Sequence, residues 1–391
     1  MIKIYFNKIL RYKSIVFILV ILLSTRVYPE TSINFSDRIE SYVLQNKLKV
    51  ILLEDKRNPI VISSLWYKVG SSYETKGTTG ISHILEHMMF KGTEKIKSGE
   101  FSKIIKNLGG TDNAFTGRDF TGYYQKVNKI HLEECLKMES DRMANLILRE
   151  SDFVKERKVV QEERRLRVDD RPISKAFEKT LFQAFGYHGY GIPIIGTMED
   201  IESIKLQDLK NWYKKYYSPE NATLIIAGDF NVIETKKLVE KYFGTIKNNE
   251  PVTLNKEIEK HVISFKDIFL KDSVSNPTVL ISFVQPKFNY NDRLEHYKID
   301  LLLELIDGGS SSRLTKNLVD KKKIALETFI SSDSYPIEKT IIAFGGIPRD
   351  GISVETFRDE IFLQFKDIVE NGITDKEFKS LKSKLTSNSI Y

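Results

Sequence analysis

A chain of 391 residues, 41% hydrophobic and 29% charged, is too long for one ordinary core and has globular composition, which excludes a disordered or membrane-embedded body and predicts two domains. Five of its seven net positive charges, Lys3, Lys8, Arg11, Lys13 and Arg26, lie in residues 1–28, which carry no acid. The remainder holds about +2 and offers nucleic acid no electrostatic footprint. The single Cys135 forbids an intrachain disulfide, and its helical setting makes it a buried core residue.

The leading basic residues precede a short apolar run, Ile15 to Leu23, which is too short to span a bilayer. Residues 1–29 therefore read as a signal peptide or an N-terminal anchor, because Ser24 to Pro29 offers only a poor small-residue cleavage site. The body is expected to be exported, periplasmic or secreted, touching a membrane only through this segment if it stays uncleaved.

Glu40 to Glu54 and Val61 to Val69 read as strands, and Gly70-Ser71-Ser72 breaks the second. Ile81 to Phe90 places Ile81, Ile84, Leu85, Met88 and Met89 at helical spacing. A helix follows from Glu100 to Leu108, then strand from Asn113 to Val127 with a turn near Gly117. Helical patterns cover His131 to Leu148, Ser151 to Arg167, Ile173 to Phe185 and Gln207 to Tyr216, and Ala222 to Ala227 closes this half as a buried strand.

The order then recurs: strand Thr278 to Phe283, helix Arg293 to Ile306, strands Leu326 to Ser332 and Thr340 to Gly345, and helices Val354 to Val369 and Asp375 to Leu385. This predicts an α+β fold with a diverged duplication. The domains are a metal-binding domain at 30–246, a linker at 247–260, and a second homologous domain at 261–391 that looks shorter at its C-terminus than the first.

His83-Ile84-Leu85-Glu86-His87 carries the chemistry. Positions four apart on a helix lie one turn apart on nearly the same face, so both imidazoles reach one metal ion. Two neutral imidazoles and a carboxylate leave zinc an open position for an activated water, and Glu86, on the ligand helix yet off the metal, fits the base that this water needs. The motif is an inverted metallopeptidase signature. The third ligand is expected among Glu156, Glu162 and Glu163. Glu156 and Glu163 share a helical face and Glu162 points about 100° away, so Glu163 can ligate with Glu156 behind it. Glu162, Arg164, Arg165 and Arg167 are read as an exposed charged face.

With these residues the sequence resembles the pitrilysin, insulinase and mitochondrial processing peptidase family, specifically its bacterial members of single-half type. The resemblance runs through Gly80 to Thr93, Asn113-Ala114-Phe115-Thr116, Tyr187 to Pro193 and Tyr217 to Thr223. It implies two homologous domains, each a mainly antiparallel sheet packed by helices, and one zinc ion per chain. The family's third ligand lies 76 or 77 positions after the second histidine, and Glu163 follows His87 by 76. The resemblance thus implies His83, His87 and Glu163 as ligands, Glu86 as base and Glu156 as a supporting carboxylate. It further implies that Asn113, Ala114 and Phe115 bind substrate backbone by strand addition.

Active family members need an arginine and a tyrosine from a domain facing the metal. The matching positions here hold Val319 and Leu326, with Arg313 and Tyr335 nearby as alternatives. The expected protein is a zinc endopeptidase for short or unfolded peptides, working as a homo- or heterodimer with a metal-free family partner that supplies the missing pair. A non-catalytic scaffold or a truncated inactive member is the competing reading. His131, His188, His261 and His296 lack metal-ligand spacing, and Gly308 to Arg313 reads as a helix-end loop rather than a phosphate site.

Overall fold

The computed structural model of the protein describes residues 2–5, 38–187, 189–249, 268–270, 276–285, 287, 292, 294–333 and 336–390. Residues 6–29 of the expected leader, residues 250–260 of the expected linker, and His188, His261, Arg293 and Tyr335 lie outside them.

The elements run β1 (Ile2–Tyr5), β2 (Ile39–Val43), β3 (Lys49–Glu54), β4 (Ile60–Tyr67), α1 (Ile81–Met88), α2 (Glu100–Asn107), β5 (Thr111–Thr116) and β6 (Thr121–Asn128). Next come α3 (Leu132–Asn145), α4 (Glu150–Arg164), α5 (Pro172–Phe185), α6 (Met198–Ser203), α7 (Leu206–Tyr216), β7 (Ala222–Gly228) and α8 (Val232–Phe243). The rest of the chain forms β8 (Ile268–Leu270), β9 (Thr278–Gln285), α9 (Glu295–Asp307), β10 (Ala325–Ser332), β11 (Thr340–Pro348), α10 (Val354–Asn371) and α11 (Asp375–Ile390). The described residues divide into two compact units.

Residues 38–167 with 187–249 build the first unit on a six-stranded sheet of order β2-β3-β7-β4-β6-β5. All neighbours are antiparallel except β3 and β7. Along β4, Val61, Ser63, Leu65 and Tyr67 turn inward while Ile60 and Ile62 stay exposed, the period-two alternation of a sheet with one packed face. Val50, Leu52, Leu65, Leu224 and Ile226 of the sheet and Ile81, Ile84, Leu85 and Met88 of α1 are fully buried. Each such side chain stabilises the fold by roughly 1.5–3 kcal/mol relative to exposure. This packing fixes the helix that carries the two histidines. Strand β5 ends the sheet order, so its outer backbone edge has no strand neighbour among the described residues.

The second unit holds residues 2–5, 168–186 and 268–390, with a five-stranded sheet of order β10-β11-β9-β1-β8. Val279, Ile281, Leu318, Phe344, Phe357 and Ile361 centre its core. The neighbour order β10-β11-β9 repeats β5-β6-β4, and helices separate the inner strand from the hairpin in each unit, α1 and α2 in the first and α9 in the second, which is the expected duplication. No helix among the described residues is long and apolar enough to cross a membrane.

Three local features differ from the sequence reading. Helix α5, expected inside 30–246, belongs to the second unit, where Ala176 and Phe177 pack with Leu280 and Ala343. Helix α8, capped by Asn231 accepting from the Glu234 backbone N–H, follows β7, so that strand does not close its half. The helix over Ser151 to Arg167 is α-helical only to Arg164 and continues as a π-helix over Arg165–Asp169.

Candidate metal centre

Helix α1 begins after a loop held by two buried carboxylates. Glu74 accepts from the backbone N–H of Gly80 at 2.6 Å and of Ser82 at 2.9 Å, satisfying donors at the start of the helix. Asp200 accepts from the N–H of Gly77 and of Thr79, each at 3.1 Å, and from the Thr79 hydroxyl at 2.6 Å. Gly80 is required where it stands: its φ of 90° is left-handed, and a Cβ there would lie 2.5 Å from the Ile195 carbonyl oxygen. Beyond the other end of α1, the fully buried Arg142 guanidinium sits over the rings of Phe101, Tyr123 and Phe90 at 4.3, 4.6 and 5.0 Å and pairs with Glu139 at 2.6 Å.

On this helix His83 is 8% exposed, and its ring centroid lies 4.8 Å from that of His87. Glu163, near the end of α4, turns one oxygen to both: Oε2 is 3.4 Å from His87 Nε2 and 3.8 Å from His83 Nε2. One donor atom from each of the three residues lies within 4.8 Å of the others. Glu156, two turns earlier on α4, binds the far side of the second imidazole, with Oε2 3.2 Å from His87 Nδ1, and its Oε1 takes Lys91 Nζ at 2.6 Å. Arg167 NH1 meets Glu163 Oε1 at 2.9 Å. Glu86 accepts from the Thr116 hydroxyl at 2.5 Å.

The electrostatics divide the two imidazoles. Burial first, then the neighbouring His87, push His83 down to about 4, so it is neutral. For His87 burial pulls the same way, but the bonds from Glu156 and Glu163 outweigh it and raise the group to about 9. Both of these carboxyl groups are held low, chiefly by their bonds to His87. Burial raises Glu86 above the usual carboxylate value, against the pull of the Thr116 bond.

Two imidazole nitrogens and one carboxylate oxygen converging from packed helices match the donor set of a catalytic zinc site. A divalent ion among them would take the place of the proton on His87 Nε2 and leave Nδ1–H bonded to Glu156.

The structure brings together His83, His87 and Glu163, with Glu156 on His87 and Glu86 beside them on the histidine helix. Asn113, Ala114 and Phe115 lie on β5, the edge strand, whose next residue Thr116 reaches Glu86. Phe115 points to the other face of the sheet, 5.0 Å from the Trp66 ring. Val319 lies in a π-helix over Thr315–Lys321 and Leu326 in β10, both in the second unit. Arg313 is engaged by Glu377 at 3.0 Å, Asp367 at 2.9 Å and the Gly372 carbonyl at 2.8 Å, which removes it as a free catalytic arginine.

The charged face of α4 is not uniformly exposed. Arg164 is 6% exposed and donates to the Gly196 carbonyl, because the loop before α6 folds over it. Thr116 and Lys91 were beyond sequence reasoning, since nothing in their spacing marks which carboxylate they meet, whereas Arg167 stands four residues after Glu163 and was read only as part of an exposed face.

Two sheets packed by helices, with a histidine pair faced by a glutamate, define an α+β protein with a candidate metal-binding cluster. The insulinase family profile, peptidase family M16, matches residues 49–198, and the M16 inactive-domain profile matches residues 203–385. The chain is 36% identical over 350 residues to the zinc protease PqqE of Helicobacter pylori, covering 88% of this chain and 77% of that one. It is 28% identical over 257 residues to the mitochondrial-processing peptidase subunit beta of Neurospora crassa, covering 64% of this chain and 52% of that one. The crystal structure of a protease from Helicobacter pylori superposes with a TM-score of 0.81 at 32% identity, over 90% of this chain and 85% of that one. This chain belongs to the M16 family of peptidases.

Proposed function

We propose that the protein is an exported zinc endopeptidase for short or unfolded peptides, with one ion held by His83, His87 and Glu163. The convergence of Glu163 Oε2 on both Nε2 atoms, at 3.4 and 3.8 Å, carries this reading. Zinc bound there supplies a Lewis acid that brings the pKa of a water towards about 7. Glu86 takes the proton and returns it to the leaving amine, and the Thr116 hydroxyl orients its carboxylate from the edge strand. Glu156 keeps His87 in the tautomer whose Nε2 lone pair faces the ion, and Lys91 holds Glu156 in turn.

Substrate pairs with the outer edge of β5 through the backbones of Asn113, Ala114 and Phe115, which selects extended chains over folded ones. The N-terminal basic and apolar segment directs export. With Val319 and Leu326 at the positions of the family's arginine and tyrosine, a metal-free partner subunit supplies those groups, each donor being worth several kcal/mol to the transition state. The competing scaffold reading draws on the inactive-domain match, but residues 203–385 contain none of the proposed ligands.

The test is peptide hydrolysis by wild type and Glu86→Gln, with and without a candidate partner. Glu86→Gln that keeps its metal and loses at least a hundredfold in rate supports the base role. A variant as active as wild type refutes it.

A further inference from the structure

We propose that Arg167 is a positioning residue for Glu163: it holds one carboxylate oxygen so that the other alone faces the imidazoles. This rests on the metal-site reading above.

The two oxygens of Glu163 have different partners. Oε2 lies 3.4 Å from His87 Nε2 and 3.8 Å from His83 Nε2, whereas Oε1 receives Arg167 NH1 at 2.9 Å. A carboxylate free to rotate would offer both oxygens to an ion, or swing away. This one has its second oxygen committed before any ion arrives.

The pair is an i,i+4 contact, but it spans the change from α-helix, ending at Arg164, to the π-helix over Arg165–Asp169. Single π-turns within helices are rare and cluster at functional sites. Here the turn begins two residues after the proposed ligand. The residue before the turn and the turn's middle residue are both held, since the buried Arg164 is bonded to the Gly196 carbonyl while Arg167 is bonded to Glu163.

Fold stability does not account for the contact. The Arg167 side chain is 69% exposed, and exposed i,i+4 ion pairs contribute little. Glu163 is only 19% exposed, so the guanidinium reaches inward to a carboxylate oxygen that the imidazoles leave unshared. Glu156 follows the same pattern, with Lys91 on one oxygen and His87 on the other. Glu156 and Glu163 thus each have one oxygen on a basic side chain and one on an imidazole.

The full chain, its Arg167→Met and Arg167→Lys variants, and added cobalt and zinc ions test this. Cobalt in place of zinc gives a visible absorption whose intensity reports the number of donor atoms. Arg167→Met is expected to bind either ion at least tenfold more weakly and to alter the cobalt absorption, because a released carboxylate can present both oxygens. Its metal-free melting temperature should match that of wild type, and Arg167→Lys should recover part of the affinity. Wild-type affinity and spectrum in Arg167→Met overturn the inference. So does an affinity loss matched by an equal loss of metal-free stability. A wild type that binds neither ion overturns the peptidase reading itself, an outcome distinct from both.

Discussion

Replacing Glu156 by glutamine changes one atom and removes one charge, yet it should weaken the metal site measurably. The carboxylate serves two donors at once, His87 Nδ1 at 3.2 Å and Lys91 Nζ at 2.6 Å, one on each oxygen. Glutamine has one acceptor oxygen, so either the lysine or the imidazole must face an amide N–H group. The ammonium is the stronger claimant. His87 then loses the acceptor that fixes its tautomer, and the fraction with a free Nε2 lone pair falls.

Outer partners of this kind contribute 10–100-fold to metal affinity, or about 1.4–2.7 kcal/mol. Zinc affinity measured against a chromophoric chelator should fall by that factor in Glu156→Gln, with circular dichroism unchanged. Affinity within twofold of wild type would refute the argument that Glu156 acts through His87.

Two further predictions concern the fold around the site and the second unit. Arg142→Met should lower unfolding free energy by about 3–5 kcal/mol in urea titrations, because Glu139 is left ionised and buried with only the Gln125 amide, 2.7 Å away. Adding Glu139→Gln should restore most of it, and a single-variant loss below about 1 kcal/mol would contradict the pairing. In the second unit, burial raises Glu377, but the Arg313 and Thr374 bonds outweigh it and bring its carboxyl from 4.5 to about 2. A depressed carboxyl stabilises the fold above its unfolded pKa, so the advantage of wild type over Glu377→Gln should be complete above about pH 4.5. It should vanish as pH falls towards 2, and a difference independent of pH would argue against the ion pair.

The sequence carried the metal helix plainly because i,i+4 histidines and an apolar stripe are both local signals. The partnership of Glu156 and Glu163 followed from one helix face, and the edge position of β5 from a family motif. Other parts were illegible for physical reasons. Glu74 and Asp200 hold a loop through contacts that join residues up to 123 positions apart, and the Arg142–Glu139 pair looks like any surface i,i+3 pair until the aromatic rings close over it. Helix α5 has an apolar face that periodicity detects, but which sheet it covers is a tertiary choice. The π-turn after Glu163 has no compositional mark, so Arg167 read as solvated surface.

The central claim is that His83, His87 and Glu163 hold one zinc ion. Metal content of the purified chain beside Glu163→Gln, determined by atomic absorption after dialysis, tests it most directly. The account predicts one zinc per chain in wild type and a variant folded but stripped of metal. A wild type that takes up no zinc when it is supplied, or a Glu163→Gln that holds it as tightly, would contradict the account.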